Sequence, residues 1–495
     1  MGNLHRRGAV CVRPMFTRTR ARGVQNLHRC AKPLAAMDFT QAQPRYAFVA
    51  EALDGTGGFM PEVIYGTTAG NLNKPIGVKG KSHLIPYPRE SAEKFASRVA
   101  CATYENHLRS ACERFAAYLS RKSPSRQGAD NPLVQAFLKD ADGAGSSLNA
   151  FIHRLTIDAK ARGSMLVLID LPRERQDVSL AQTLTGEART LPYLAAIKPE
   201  VVADYKQDDK GRFVSLGIHS VANVNGKEVE VIRRWTRTDW QVWNGQQLLE
   251  SGPNPFGECP VLALTENGAP FPQVGKFAQI ADLSKRLYNA RSELDEILRS
   301  QTFSVLTLQI PPEVTNAVES AKAFTETIST HSLLIHQGQT PAFIAPDSGP
   351  AQVYGARIAE LQASIERIGM ETASQPGQQQ ESGVARKMRF EALNADLAGF
   401  AALMQDLELR IWDLFHQALG MQDRPLVEWP TDYNLTDSAA ELDILSMMQA
   451  TGFPDAALIE KRRAILLAEF DRADPATLAI IMAALDESAQ SGAKP

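Results

Sequence analysis

The sequence predicts an α+β fold made of long amphipathic helices around short antiparallel strands. Two observations carry that reading. Apolar residues recur at steps of three and four from Ile280 to Ile297, from Tyr354 to Ile368 and from Leu393 to Ala418, which places each set on one helical face. Between Val201 and Leu264 the pattern changes to short β-branched and aromatic runs, with Asn225-Gly226 and Asn244-Gly245 placed as tight hairpin turns.

Composition narrows the class. A chain of 495 residues exceeds what one hydrophobic core supports and divides into two or more regions. Its 44% apolar and 22% charged residues are ordinary for a globular protein. The 53 basic and 56 acidic residues nearly cancel, at −3, which disfavours a strongly basic nucleic-acid binder. The five cysteines (Cys11, Cys30, Cys101, Cys112, Cys259) form no CxxC pair and no ligand-spaced cluster with the nine histidines. Cys101 and Cys112 are expected on one helix, about 16 Å apart and too far to bridge, so a reducing compartment fits. No apolar run approaches the roughly 20 residues needed to cross a bilayer.

The elements follow in order. Up to Ala36 the chain carries Arg6, Arg7, Arg13, Arg18, Arg20, Arg22, Arg29 and Lys32 and no acid. Three readings stay open there: a disordered basic arm, an upstream start with Met37 as initiator, or a transit peptide. Residues 38–90, rich in Gly and Pro, read as an irregular arm. Ser91 is placed to cap one helix running to Ser120. A turn over Asp140–Ser147 leads into a serine-capped helix to Arg162, Gly163 stops it, and Met165–Asp170 is a buried strand. Strands near 213–223, 228–236, 239–244 and 260–265 form the expected meander, with Trp235, Trp240 and Trp243 packing its face; a nucleic-acid stacking platform is the sharper alternative for these tryptophans.

A helix over 274–303, about 45 Å long, comes next. It is followed by a strand at Ser304–Ile310, a short helix at Glu313–Thr327 and a strand at Ser332–His336, a compact insertion before the second striped helix. Gln375-Pro-Gly-Gln-Gln-Gln-Glu-Ser-Gly383 reads as a hinge loop. The helix over 384–419 is a rod of about 54 Å. A link over Asp423–Asp437 leads to short helices from Ser438 to Ser488, broken at Gly452 and Pro454.

Signatures of chemistry are sought and fail on spacing. Asp140, Asp142, Gly143 and Gly145 hint at a calcium loop or phosphate cradle, but no glutamate stands at the twelfth position and Gly-Ser-Ser replaces Gly-Lys-Ser/Thr, so a turn with a helix cap is expected. His331 and His336, five apart on a strand, face opposite sides and make poor co-ligands. No HExxH, GxSxG or strand-borne GxGxxG is present. The expectation is a protein that is not an enzyme and holds no cofactor and no metal.

This order of elements resembles the portal proteins of tailed bacteriophages. The segments that carry the likeness are Asp142-Gly-Ala-Gly-Ser-Ser-Leu-Asn-Ala-Phe151 through Arg162-Gly-Ser-Met-Leu-Val-Leu-Ile-Asp-Leu-Pro172, then Leu191-Pro-Tyr193, and Glu381-Ser-Gly-Val-Ala385. The likeness spans residues 85–490 and rests as much on the succession of elements as on any motif. It implies a portal-protein fold: a mixed α/β wing over 85–273, a stem helix over 274–303, a small α/β clip over 304–346, a returning helix over 347–372, a tunnel loop over 373–383, a long spine helix with its link over 384–434, and a helical crown over 435–495. Residues 1–84, the basic and irregular arm, depart from the family.

The resemblance further implies a homo-oligomeric ring, usually of twelve, at one capsid vertex of the virion, assembled in the host cytoplasm. Double-stranded DNA passes through it, driven in by the terminase large subunit and released later by the same route. Its other partners are a head-completion or adaptor protein and the major capsid and scaffolding proteins, with no membrane. Gln375, Gln378, Gln379, Gln380 and Glu381 are then expected to face DNA, and Gln309, Glu313, Glu319, Lys322, His331 and His336 to dock terminase or adaptor. Twelve copies at −3 sum to about −36, and a wall without a basic stripe holds a polyanion weakly, as a conduit requires. Two alternatives remain: a helical scaffold or adaptor without a DNA channel, and an enzyme using the Asp140–Ser147 turn.

Overall fold

The computed structural model describes residues 38–67, 73–172, 191–224, 226–302, 305–307, 342–344, 349–369, 383–422, 424–433, 438–470 and 475–491. All of them belong to one compact unit, Ala36–Pro495.

The segment expected to be an irregular arm begins instead with a helix, α1 (Phe39–Asp54). Asp38 caps it and Gly55, at φ 64°, ends it in the left-handed conformation. Ala42, Tyr46, Val49 and Leu53 fall at steps of four and three and are all buried. A hairpin follows, β1 (Glu62–Thr67) with β2 (Asn73–Lys79), lying on α2 (Ala92–Cys101).

Ser91 does cap α2, accepting from the Lys94 amide at 3.2 Å. The helix nevertheless ends at Cys101, and α3 (His107–Leu119) starts afresh with Asn106 accepting from the Arg109 amide. Cys101 and Cys112 therefore stand on different helices, the first exposed and the second buried, and both are free thiols. Tyr104 makes the break useful: it stacks on Phe59 at 4.1 Å and donates its hydroxyl to the Ala52 carbonyl of α1.

After β3 (Ser125–Gln127) and α4 (Pro132–Lys139), the Asp140–Ser147 turn is held by its own carboxylates. Asp142 accepts from the Ala144 and Ser146 amides and Asp140 from the Gly145 amide. Ser147 caps α5 (Leu148–Arg162), and Gly163, at φ 84°, stops it. β4 (Ser164–Asp170) is buried on both faces, sending Met165, Val167 and Ile169 into the helical core and Leu166 and Leu168 into a second core between sheets.

The meander has five strands: β6 (Val202–Gln207), β7 (Phe213–Val224), β8 (Lys227–Thr236), β9 (Asp239–Asn244) and β10 (Gln247–Pro253), in spatial order β10-β9-β8-β7-β6. The expected fourth strand of that meander is not in it. β11 (Val261–Thr265) pairs instead with β4, which in turn pairs with β5 (Tyr193–Ile197), in a separate three-stranded sheet. Continuing the chain past Pro253 and Pro260 removes two ladder donors, and the strand is free to join the buried β4.

The remaining helices are α6 (Ala278–Thr302), α7 (Gly349–Ile368), α8 (Gly383–Leu419) and a terminal set, α9 (Ser438–Ala450), α10 (Asp455–Glu469) and α11 (Pro475–Ser491). Gly452, at φ 75°, separates α9 from α10. Between α6 and α7 a short pair, β12 (Val305–Thr307) with β13 (Ala342–Ile344), is described; β13 was not anticipated, and the helix and strand expected at 313–327 and 332–336 lie outside the described residues. The link after α8 contains β14 (Leu426–Glu428), which pairs with β3. No helix among the described residues is long and apolar enough to cross a membrane.

Candidate functional site

α6 grows out of the body through charged clamps. Arg45 of α1 donates to Asp282 at 2.7 Å and to the Ala278 carbonyl at 3.0 Å. Two turns on, the Asn289 side chain takes the Ile85 amide at 2.8 Å and gives to the His83 carbonyl at 3.0 Å. Arg98, 2% exposed, forks onto Glu90, donates to the Ile85 carbonyl and to Ser292, and lies 4.1 Å over the Tyr87 ring. Burial works to raise the Glu90 carboxyl, but hydrogen bonds from Arg98 and the Tyr87 amide outweigh it and hold it below the usual carboxylate range. A charged group this deep is tolerated only because it is paired.

α7 returns antiparallel along α6, as the β12–β13 pairing of Val305 with Ile344 and Thr307 with Ala342 requires. Leu361 and Ile365 are buried against the body, and the Tyr354 hydroxyl bonds Glu293 of α6, which pushes the phenol up to about 12. Between the helices runs a groove of about 600 Å³ lined by Ile85, Lys285, Arg286, Glu293 and Arg357.

α8 passes through the centre of the helical core. Phe400 meets Phe115 edge-on at 5.5 Å, and Phe137 contacts Trp412 and Phe415 at 5.3 and 4.6 Å. Leu393, Leu397, Met404, Leu407, Ile411 and Leu414 are all buried. The sequence left open whether these stripes meet their own chain or another copy. For α8 and for the buried residues of α6 and α7, the chain covers its own stripes, so the stripes by themselves do not call for a ring. Exposed large apolar side chains stand on the terminal helices (Leu442, Met447, Ile480), between α9 and α10 (Phe453), on the β1–β2 hairpin (Ile64, Tyr65, Ile76), and singly on α6 (Leu298) and α7 (Val353).

The expected DNA-facing residues Gln375, Gln378, Gln379, Gln380 and Glu381 lie outside the described residues, as do the expected docking residues Gln309, Glu313, Glu319, Lys322, His331 and His336. What is described is their anchorage. The insertion between α6 and α7 leaves and rejoins at Thr307 and Ala342, paired strand to strand, and the glutamine-rich segment follows Gly369, which abuts Ala111 of α3, and ends at the start of α8.

Sequence reasoning missed the buried charges. Lys160, 4% exposed, reaches Glu266 at 2.9 Å and sits over the Phe115 and Phe277 rings at 4.4 and 4.8 Å. Arg162, fully buried, forks onto Glu200 and also meets Asp158. The signal was present as basic residues on the last turn of a helix whose apolar residues Leu148, Phe151, Ile152, Leu155 and Ala159 share the buried face. Among the described residues no group of three His, Cys, Asp or Glu is placed to hold a metal.

No protein-family model matches the chain, and no curated protein does. Solved structures similar to it include a chain from the virion of a native gene transfer agent (GTA) particle, 12% identical with a TM-score of 0.41, covering 83% of this chain and 96% of that one. Chains from the neck of the empty particle computed with C6 symmetry (12% identical, TM-score 0.39, 70% and 86% covered) and of the native particle computed with C12 symmetry (11%, 0.42, 73% and 89%) are also similar.

Proposed function

We propose that this chain is the subunit of a portal-type ring through which double-stranded DNA enters and leaves a phage-like particle. One observation supports the reading above others: a helix of 25 residues and its antiparallel partner of 20 are joined at their far end by a small β pair, and a helix of 37 residues follows through the core. A stalk of that build projects a docking tip away from the body, and the segment between α7 and α8 is left to border a channel.

In this reading about twelve copies close the ring, the clip docks the terminase large subunit and later an adaptor, the crown and arm face capsid and scaffolding proteins, and the chain performs no bond chemistry and uses no cofactor. The exposed apolar residues of α9 to α11 then pack between neighbours. A helical adaptor without a channel is the second reading, favoured by the fact that α8 buries its stripe within its own chain. Negative-stain images of the purified full-length chain separate them: rings with a central hole support the portal, and small solid particles support the adaptor.

A further inference from the structure

The inner face of the five-stranded sheet carries a positive charge that forms no ion pair among the described residues. On β8, Val231, Arg233 and Trp235 alternate onto one face, and the residues directly across on β9 are Val242 beside Arg233 and Trp240 beside Trp235. Val231, Trp235 and Val242 are buried. Arg234, on the opposite face, pairs with Asp204 at 2.5 Å. Arg233 has no ion pair among the described residues, and its Nε is shielded from solvent without a hydrogen-bond partner; Asp170, which lines the same cavity, accepts instead from the Leu171 amide at 2.9 Å and the Tyr193 hydroxyl at 3.3 Å. A half-buried guanidinium in apolar surroundings is costly until an anion meets it.

Arg233 lines a cavity of about 300 Å³ at the junction of the two sheets. Trp235, Trp240, Pro253, Phe256 and Pro260 form its apolar walls. Gly252 stands opposite Trp240, and a Cβ there would lie 2.7 Å from the indole nitrogen. The missing side chain is what lets the indole cross β10 and complete the wall. Flat apolar walls with one cation that makes no ion pair, beside an Asp170 carboxylate already taken up by other donors, are the complement of a carboxylate on a flat apolar body.

We propose that this cavity binds such a carboxylate, of the size of one or two side chains, either as a free arylalkanoic acid or as the terminal residue of a polypeptide. The guanidinium takes the carboxylate and the tryptophans and prolines take the apolar body. Titration calorimetry on the full-length protein tests it with four probes: phenylacetate, phenylacetamide, N-acetyl-glycyl-phenylalanine and the amide of that dipeptide. An acid is expected to bind once per chain and its neutral amide about tenfold or more weaker, a comparison that needs no variant. Arg233→Met should lose acid binding by a similar factor and Arg233→Lys should keep most of it. Binding of both acids assigns the site to the carboxylate in either setting, and binding of the peptide acid alone assigns it to a chain terminus. Acids and amides binding equally, Arg233→Met binding acids as the unaltered protein does, or no binding by either acid overturns the proposal.

Discussion

Arg126 and Glu408, 282 positions apart, form a forked ion pair in the interior, with Glu408 only 1% exposed. The same carboxylate accepts from the indole nitrogens of Trp412 at 3.3 Å and Trp429 at 3.0 Å. Four donors thus converge on one side chain of α8, and through Arg126 and Trp429 they tie both the β3 and the β14 segments to it. Removing one partner of a buried pair strands the other, so Arg126→Met is expected to cost about 3–5 kcal/mol in a denaturant titration. A loss under about 1 kcal/mol would show the pair to be peripheral.

Gly163 is the second rigid point. It holds φ 84° where α5 turns into β4, and a Cβ there would sit 1.9 Å from the Gly275 nitrogen, with the Gly275 amide donating to the Arg162 carbonyl beside it. Gly163→Ala is expected to cost about 3 kcal/mol or more, because strain and backbone overlap add. Thermal unfolding of the variant measures it, and an unchanged midpoint would contradict the close approach.

Stability should fall in acid in two steps. Burial holds the His83 imidazole below its ordinary 6.5, against the pull of Glu51. The unfolded chain then takes up that proton at a higher pH than the folded one, so stability declines as pH drops below 6.5. Glu51 and Glu90 are held below their ordinary 4.5 because hydrogen bonds outweigh the opposing effect of burial, so their contribution is present above 4.5 and is lost as pH falls through their folded values. His83→Gln should remove the first step and leave the second, as read from urea midpoints across pH. An unaltered first step would remove His83 from the account.

How much of this was legible in the sequence varies with range. Local signals were read correctly: the Ser91 and Ser147 caps, the Gly163 stop and the α8 stripe all depend on neighbours within a turn or two. α1 was hidden by Pro44 inside it and by the Gly-rich residues after it, although Tyr46, Val49 and Leu53 keep the helical step. The break before Asn106 was hidden because its cause, Tyr104 packing on Phe59 and α1, lies far away in sequence. The β11–β4 and β14–β3 pairings join distant strands, and no periodicity records a partner. The channel and docking residues rested on resemblance alone, and all of them fall outside the described residues.

On the portal reading, glutamines in the segment before α8 offer amide hydrogen bonds to phosphates without trapping them. Replacing Gln378, Gln379 and Gln380 with lysine in every subunit adds charge along the DNA path, and packaging is expected to slow, with relief at higher salt. Packaging yield measured across salt concentrations checks this, and equal yield at every salt would place the segment away from DNA.

The most direct measurement is the mass of the native assembly. Twelve copies of a 54.2 kDa chain predict a closed species near 650 kDa, discrete and without a ladder of open oligomers. A single species of one chain's mass at every concentration and salt would contradict the ring and with it the channel.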